Sequence, residues 1–152
     1  MFTRRALIQA SLILPFAAIG TPAHADTRRS SAVVTVQALD RINQFRGKNG
    51  LEPLIIDPRA ERAALEHSVE MALLGELSHK NFKTRLANAQ IVTPSAENVA
   101  AGQQTIAKVL SDWEKSRDHR KNLLGAYNRT GLAVARNANS GNTPYWTLIL
   151  SV

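Results

Sequence analysis

The chain has 152 residues, a formal net charge of +7 and no cysteine. That length fits one domain with a core of its own, and the missing thiols exclude disulfides, thiol catalysis and cysteine-ligated metal. Nucleic acid is not an expected partner, because no basic run is interleaved with the aromatics that a single-strand binder needs.

Residues 1–25 read as a secretory signal. Arg4 and Arg5 give a basic start, Ala6 to Ile19 is apolar except for Gln9 and Ser11, and Ala23-His24-Ala25 is a small-x-small cleavage site. The apolar run is too short for a membrane span. The Thr3 to Ile8 segment also resembles a twin-arginine export signal, and both routes stay open. Either implies export, to a periplasm or out of the cell. Cleavage after Ala25 removes two arginines and lowers the charge from +7 to +5, which suits an anionic envelope surface. No membrane span is expected in the mature chain, and a monomer is the expected state.

Residues 26–37 form a polar lead-in, with Asp26 to Ser31 frayed. A first helix is expected from about Ala32 to Lys48, with Val34, Ala38, Ile42 and Phe45 on one face and Gly47 and Gly50 to stop it. Leu51 to Ile56 reads as a short apolar connection. Asp57-Pro58 reads as a helix start, Asp57 capping and Pro58 in the first turn. That helix is expected to run to about Leu77 on a stripe of Ala60, Ala64, His67, Met71 and Leu74, its alanines small enough for another element to pack close. Ser78 to Pro94 has no strong period and is expected to be loop with a short helical piece. A third helix, about Thr105 to Ser116, carries Ile106, Val109, Leu110 and Trp113. Gly131 to Arg136 and Tyr145 to Val152 alternate as the strands of an antiparallel hairpin. Trp146, Leu148, Leu150 and Val152 share one face of the second strand. Helices followed by a terminal hairpin indicate an α+β fold.

Few groups carry chemistry. His79 follows the second helix, Glu97 and Asn98 lie in a segment of small residues, and His119 follows the third helix in a polar run between Trp113 and Leu123. Each stands at an element boundary, where site residues gather. Two imidazoles and a carboxylate suit a divalent metal with an open position, or a base and its orienting partner in hydrolysis; spacing alone leaves both open, together with a purely structural network. His67 lies on an apolar stripe and reads as a core histidine with a hydrogen-bond partner. There is no Gly-x-Ser-x-Gly elbow and no phosphate-binding glycine loop.

Taken in order, Ala64 to Ala72, Ser78-His79, Ala96-Glu97-Asn98-Val99-Ala100-Ala101-Gly102, Trp113-x-x-Ser116-x-x-His119-Arg120-x-Asn122-Leu123-Leu124, Gly131 to Val134 and Tyr145-Trp146-Thr147 resemble the short exported bacterial members of the CAP superfamily, the SCP or pathogenesis-related-1-like domain. The resemblance spans residues 38–152. It implies an α-β-α sandwich, with helices on both faces of a small antiparallel sheet. It also implies a cleft holding two histidines and two acids, with His79, Glu97 and His119 as three of the four. The fourth, an acid three residues after the tryptophan, is Ser116 here; Glu114 is one residue past Trp113 and points elsewhere. The linker after His79 lacks the usual glycine-containing turn. On this resemblance His79, Glu97, Asn98, Ser116 and His119 line a ligand cleft. His79 and His119 are the metal ligands, zinc or another divalent cation is the cofactor, and a small molecule or lipid is the partner. The expected function is an exported protein that binds a divalent metal or small ligand at the cell envelope. The alternative is a metal- or histidine-dependent hydrolase of a peptide or cell-wall bond with Glu97 as base.

Overall fold

The computed structural model describes residues 29–152; the signal-peptide reading falls on residues outside that range. The described residues form β1 (Arg29–Val33), α1 (Thr35–Lys48), β2 (Ile55–Ile56), α2 (Pro58–Leu74), α3 (Phe82–Asn88), β3 (Ser95–Ala101), α4 (Ile106–Lys115), α5 (Arg117–Leu123), β4 (Arg129–Asn137) and β5 (Tyr145–Ser151). The fold is α+β. The sheet runs β1-β4-β5-β3 with antiparallel neighbours, and the two-residue β2 pairs parallel with β4.

The hairpin read from the alternating C-terminal pattern is the centre of this sheet, with Leu132 opposite Leu148 and Ala133 opposite Thr147. Alternation sends successive residues to opposite faces. Leu132, Leu148, Leu150 and Trp146 pack with Ala38 and Ile42 of α1, Val109, Leu110 and Trp113 of α4, and Leu123 of α5. Ala133 and Ile149 pack with Ala60, Ala63 and Ala64 of α2 and Leu86 of α3. Helices therefore cover both faces, and every residue of β5 is buried.

Several boundaries differ from the sequence expectations for physical reasons. The lead-in is not frayed throughout: Arg29–Val33 adds a strand to the edge of β4, Ala32 opposite Val134, and the first helix begins at Thr35 instead of near Ala32. The expected connection from Leu51 to Ile56 contains β2, whose backbone continues into the cap of α2 through Asp57 N–H donating to Thr130 O at 3.0 Å. Asp57 caps as expected, its carboxylate accepting from Arg59 N–H at 2.9 Å. The second helix stops at Leu74, not Leu77, because Gly75 turns left-handed at φ 69° and its N–H closes on Met71 O at 2.8 Å; glycine takes that conformation without steric cost. Leu74 is exposed and does not belong to the buried stripe. Ser95 to Gly102 hides a strand behind its polar centre.

Two contacts fix the spacing of the layers. Arg46 of α1 is buried, and its guanidinium donates to the carbonyls of Glu52, Leu123, Gly125 and Tyr127 at 2.8–3.0 Å, pinning α1 to the end of α5. Burial holds its pKa below the ordinary arginine value. On the other face, α2 presses directly on β4. A Cβ placed on Gly131 would come within 2.3 Å of Ala60 C and 2.2 Å of Glu61 N. Both are backbone atoms, so relief requires α2 to move. Gly131→Ala is expected to destabilise the domain by about 3 kcal/mol, read from urea denaturation of the described domain; a change below about 0.5 kcal/mol would mean that α2 shifts freely.

Candidate functional site

The site is organised by β3, which lies at the sheet edge beyond β5. Glu97 sits opposite Ile149 and Asn98 opposite Leu148, so these neighbours point to opposite faces. Glu97 enters the α2–α3 side and Asn98 the α5 side.

The Glu97 carboxylate is 1 % exposed. A charge removed from water must be paired and hydrogen-bonded. Arg85 of α3 does this with a fork: Nη1 donates to Oε2 at 2.8 Å and Nη2 to Oε1 at 2.9 Å. His79 adds Nδ1–H, donating to Oε1 at 2.9 Å, with its own side chain 57 % exposed. His67 lies behind them, buried as expected. Its Nε2–H donates to Ser78 O at 2.7 Å, and the same nitrogen is 4.0 Å from Glu97 Oε1. Glu97 thus ties together α2, α3 and the segment carrying His79.

Asn98 is fully buried and serves the other face. It donates to His119 O at 3.1 Å and accepts from Asn122 Nδ2 at 2.8 Å. The Asn122 amide also reaches Glu97 O at 3.2 Å. These bonds hold α5 against β3. The polar run after Trp113 is not a solvated connection but this helix, hinged on Ser116, which ends α4 and precedes α5 in an extended conformation. Ser116 Oγ lies 2.9 Å from His119 Nδ1 and orients the ring, and Nε2 has no hydrogen-bond partner among the described residues. Glu114 points away, as its position predicts, and pairs with Arg41 of α1 at 3.1 Å.

Beside His119 is a cavity of about 300 Å³ lined by Leu77, Trp113, Gln103, Asp112 and Ser116, with Val99 to Ala101 of β3 at its wall. Gln103 donates Nε2–H to Asp112 at 3.2 Å, while its buried Oε1 has no partner among the described residues. Burial is the main cause that holds the His119 pKa below 6.5; the nearby His79 adds to the depression and Asp118 opposes it. At neutral pH the ring is therefore an uncharged donor–acceptor.

His79 and Glu97 are thus in direct contact, Ser116 and His119 form a second pair, and Asn98 is a buried brace outside the cavity wall. Arg85, Gln103 and Asp112 are additions the sequence reading missed. No local signal pointed to Arg85: it shares a short helix with the buried Leu86, but the carboxylate it pairs with lies in a strand that its polar residues disguise. As arranged, the residues do not make a full metal centre. No three His, Asp or Glu side chains converge on one ion position among the described residues, and the one central carboxylate is already matched by Arg85.

Two measurements check this geometry. Arg85→Ala leaves Glu97 buried without its cation and is expected to cost about 3 kcal/mol; combined with Glu97→Gln the costs are expected to be markedly less than additive, as read from denaturation of the single and double variants. The His119 ring is expected to titrate by NMR below 6.5. The unfolded chain takes up that proton first, so this contribution to stability is intact above 6.5 and is lost as the pH falls below it. A titration midpoint above 6.5 would contradict the burial of the ring.

Comparison with known proteins places this architecture. The sequence model described as the cysteine-rich secretory protein family, CAP, matches residues 39–150. The chain is similar to the uncharacterized protein YkwD of Bacillus subtilis (strain 168), 30 % identical over 94 residues, 58 % of this chain but 37 % of that protein, so it spans little more than a third of that relative. Among solved structures, it resembles an outer surface protein from Borrelia burgdorferi (TM-score 0.68, 19 % identity, 80 % of this chain and 98 % of that one). It also resembles an extracellular protein containing a SCP domain from Bacillus anthracis (TM-score 0.66, 24 % identity, 76 % and 39 %). A cysteine-rich secretory protein from Staphylococcus aureus is a third neighbour (TM-score 0.63, 23 % identity, 76 % and 37 %). The family match over most of the chain, and the sheet covered on both faces, make this protein a member of the CAP family.

Proposed function

We propose that this protein is an exported CAP domain whose cleft binds a small organic ligand, acting at or beyond the cell envelope. The observation that carries the reading is the cavity beside His119. It offers an oriented neutral imidazole, the Ser116 hydroxyl and the unpartnered Gln103 carbonyl against the apolar surfaces of Trp113 and Leu77. Few convergent polar groups on an apolar wall are the usual composition of a small-molecule site. The volume suits a molecule of modest size, and the unpartnered acceptor favours one with a hydroxyl or amino donor. Extracellular and outer-surface neighbours of the same fold support export, and no helix among the described residues is long and apolar enough to cross a membrane.

A second reading is a divalent cation, zinc for example, held by His79 and His119. Its support is that Glu97 and Ser116 each hold the Nδ1 of one ring and leave the other ring nitrogen for an ion. Hydrolysis with Glu97 as base is not supported, because the carboxylate is buried behind Arg85 and His79 and bulk water does not reach it.

The test is an NMR screen of small hydroxyl- and amino-bearing fragments on the mature protein in EDTA. Binders are expected to shift the amides of Val99 to Gln103, Ser116 and His119. His119→Ala is expected to weaken them about tenfold with the fold intact. Calorimetry with Zn²⁺ on the wild type and on His79→Ala/His119→Ala runs beside it. Fragments that bind elsewhere, or only once zinc is added, would overturn the organic-ligand reading in favour of the metal.

A further inference from the structure

We infer that Arg85 is the resident cation of this cleft, fixing its specificity against divalent metals. The inference rests on the metal-independent reading above and names the residue responsible for it.

The argument starts from what a metal would find. His79 donates Nδ1–H to Glu97, which leaves its Nε2 as the free nitrogen, and Ser116 likewise occupies His119 Nδ1. A histidine held by a carboxylate in this way is a common outer arrangement around a metal. What is missing is a third ligand. Catalytic zinc sites carry three protein ligands and structural ones four; the two rings supply two, and the carboxylate in contact with one of them is Glu97. Its charge is already cancelled by a guanidinium bound through both oxygens at 2.8 and 2.9 Å. Arg85 is itself only 14 % exposed, so water screens its field poorly. It is braced on the backbone by Nε–H donating to Lys80 O at 3.1 Å. An ion entering here meets a carboxylate whose charge is already spent on Arg85. Asp112, the acid on the wall of the cavity beside His119, is engaged by Lys108 at 2.6 Å and by Gln103.

The experiment is a Zn²⁺ titration by calorimetry of the wild type, Arg85→Gln, and Arg85→Gln combined with His79→Ala. Thermal melts in EDTA and in zinc accompany it. Glutamine keeps a hydrogen-bond donor near Glu97 but removes the charge. The expected result is a gain in zinc affinity of about 100-fold or more in Arg85→Gln, lost again with His79→Ala, and a melting temperature raised by zinc in Arg85→Gln alone. An Arg85→Gln protein that folds but binds no tighter than wild type would overturn the inference and leave the organic-ligand reading standing. One that stays unfolded even with zinc would also overturn it, since the ion then fails to stand in for the guanidinium. Tight zinc binding by the wild type would overturn both readings.

Discussion

A buried carboxylate with one compensating guanidinium is the constraint on which this cleft depends. Glu97 stands on an edge strand made otherwise of small residues, and its charge has no access to solvent. Pairing it requires Arg85, which requires α3 to dock where it does, which brings the segment carrying His79 over the strand edge. The same carboxylate accepts from His79 and so sets which nitrogen of that ring faces outward. Local polarity at one residue thus adds a polar tie between elements that also share the apolar cluster of Ala60, Ala64 and Leu86.

The opposite face solves its problem with amides. Asn98, one residue along, has no charge to neutralise, and two neighbours on α5 satisfy it. The consequence is a division of labour across a single strand. The charged side sets the electrostatics of the cleft, while the neutral side sets the position of α5 and therefore of His119. Trp113 packs beneath the His119 ring with centroids 6.3 Å apart, so the ring is placed between a rigid indole and a serine that holds one of its nitrogens.

Much of this was legible in the residues. The cap at Asp57-Pro58, the alanine face of α2, the core role of His67 and the C-terminal hairpin all follow from local chemistry or period, and the ordered motifs located the family. What escaped was set by long-range pairing. Arg29–Val33 is a strand only because β4 offers an open edge, and no five-residue polar segment announces that. β3 was hidden because both of its faces are covered: Glu97 and Asn98 are buried polar groups, and a strand with polar residues inside looks like a loop to a hydropathy pattern. For the same reason β5 reads as one-sided when it is buried throughout. Nothing in the residues around Arg85 or Arg46 marks them as buried, because only tertiary structure supplies the carboxylate and the carbonyls that draw them inward.

The position of the central hairpin has a consequence for how the molecule is made. β4 and β5 are the last two strands in the chain, yet β1 and β3 both pair with them and α2 packs upon them. The helices synthesised earlier have no central sheet to pack on until residues 129–151 emerge. Assembly is therefore dominated by contacts between distant parts of the sequence, which slows folding. Until then the chain presents the alanine face of α2 and the apolar stripe of α4 bare, together with an acid destined for a dry interior. On this topology neither layer of helices can close over the sheet before that hairpin is available.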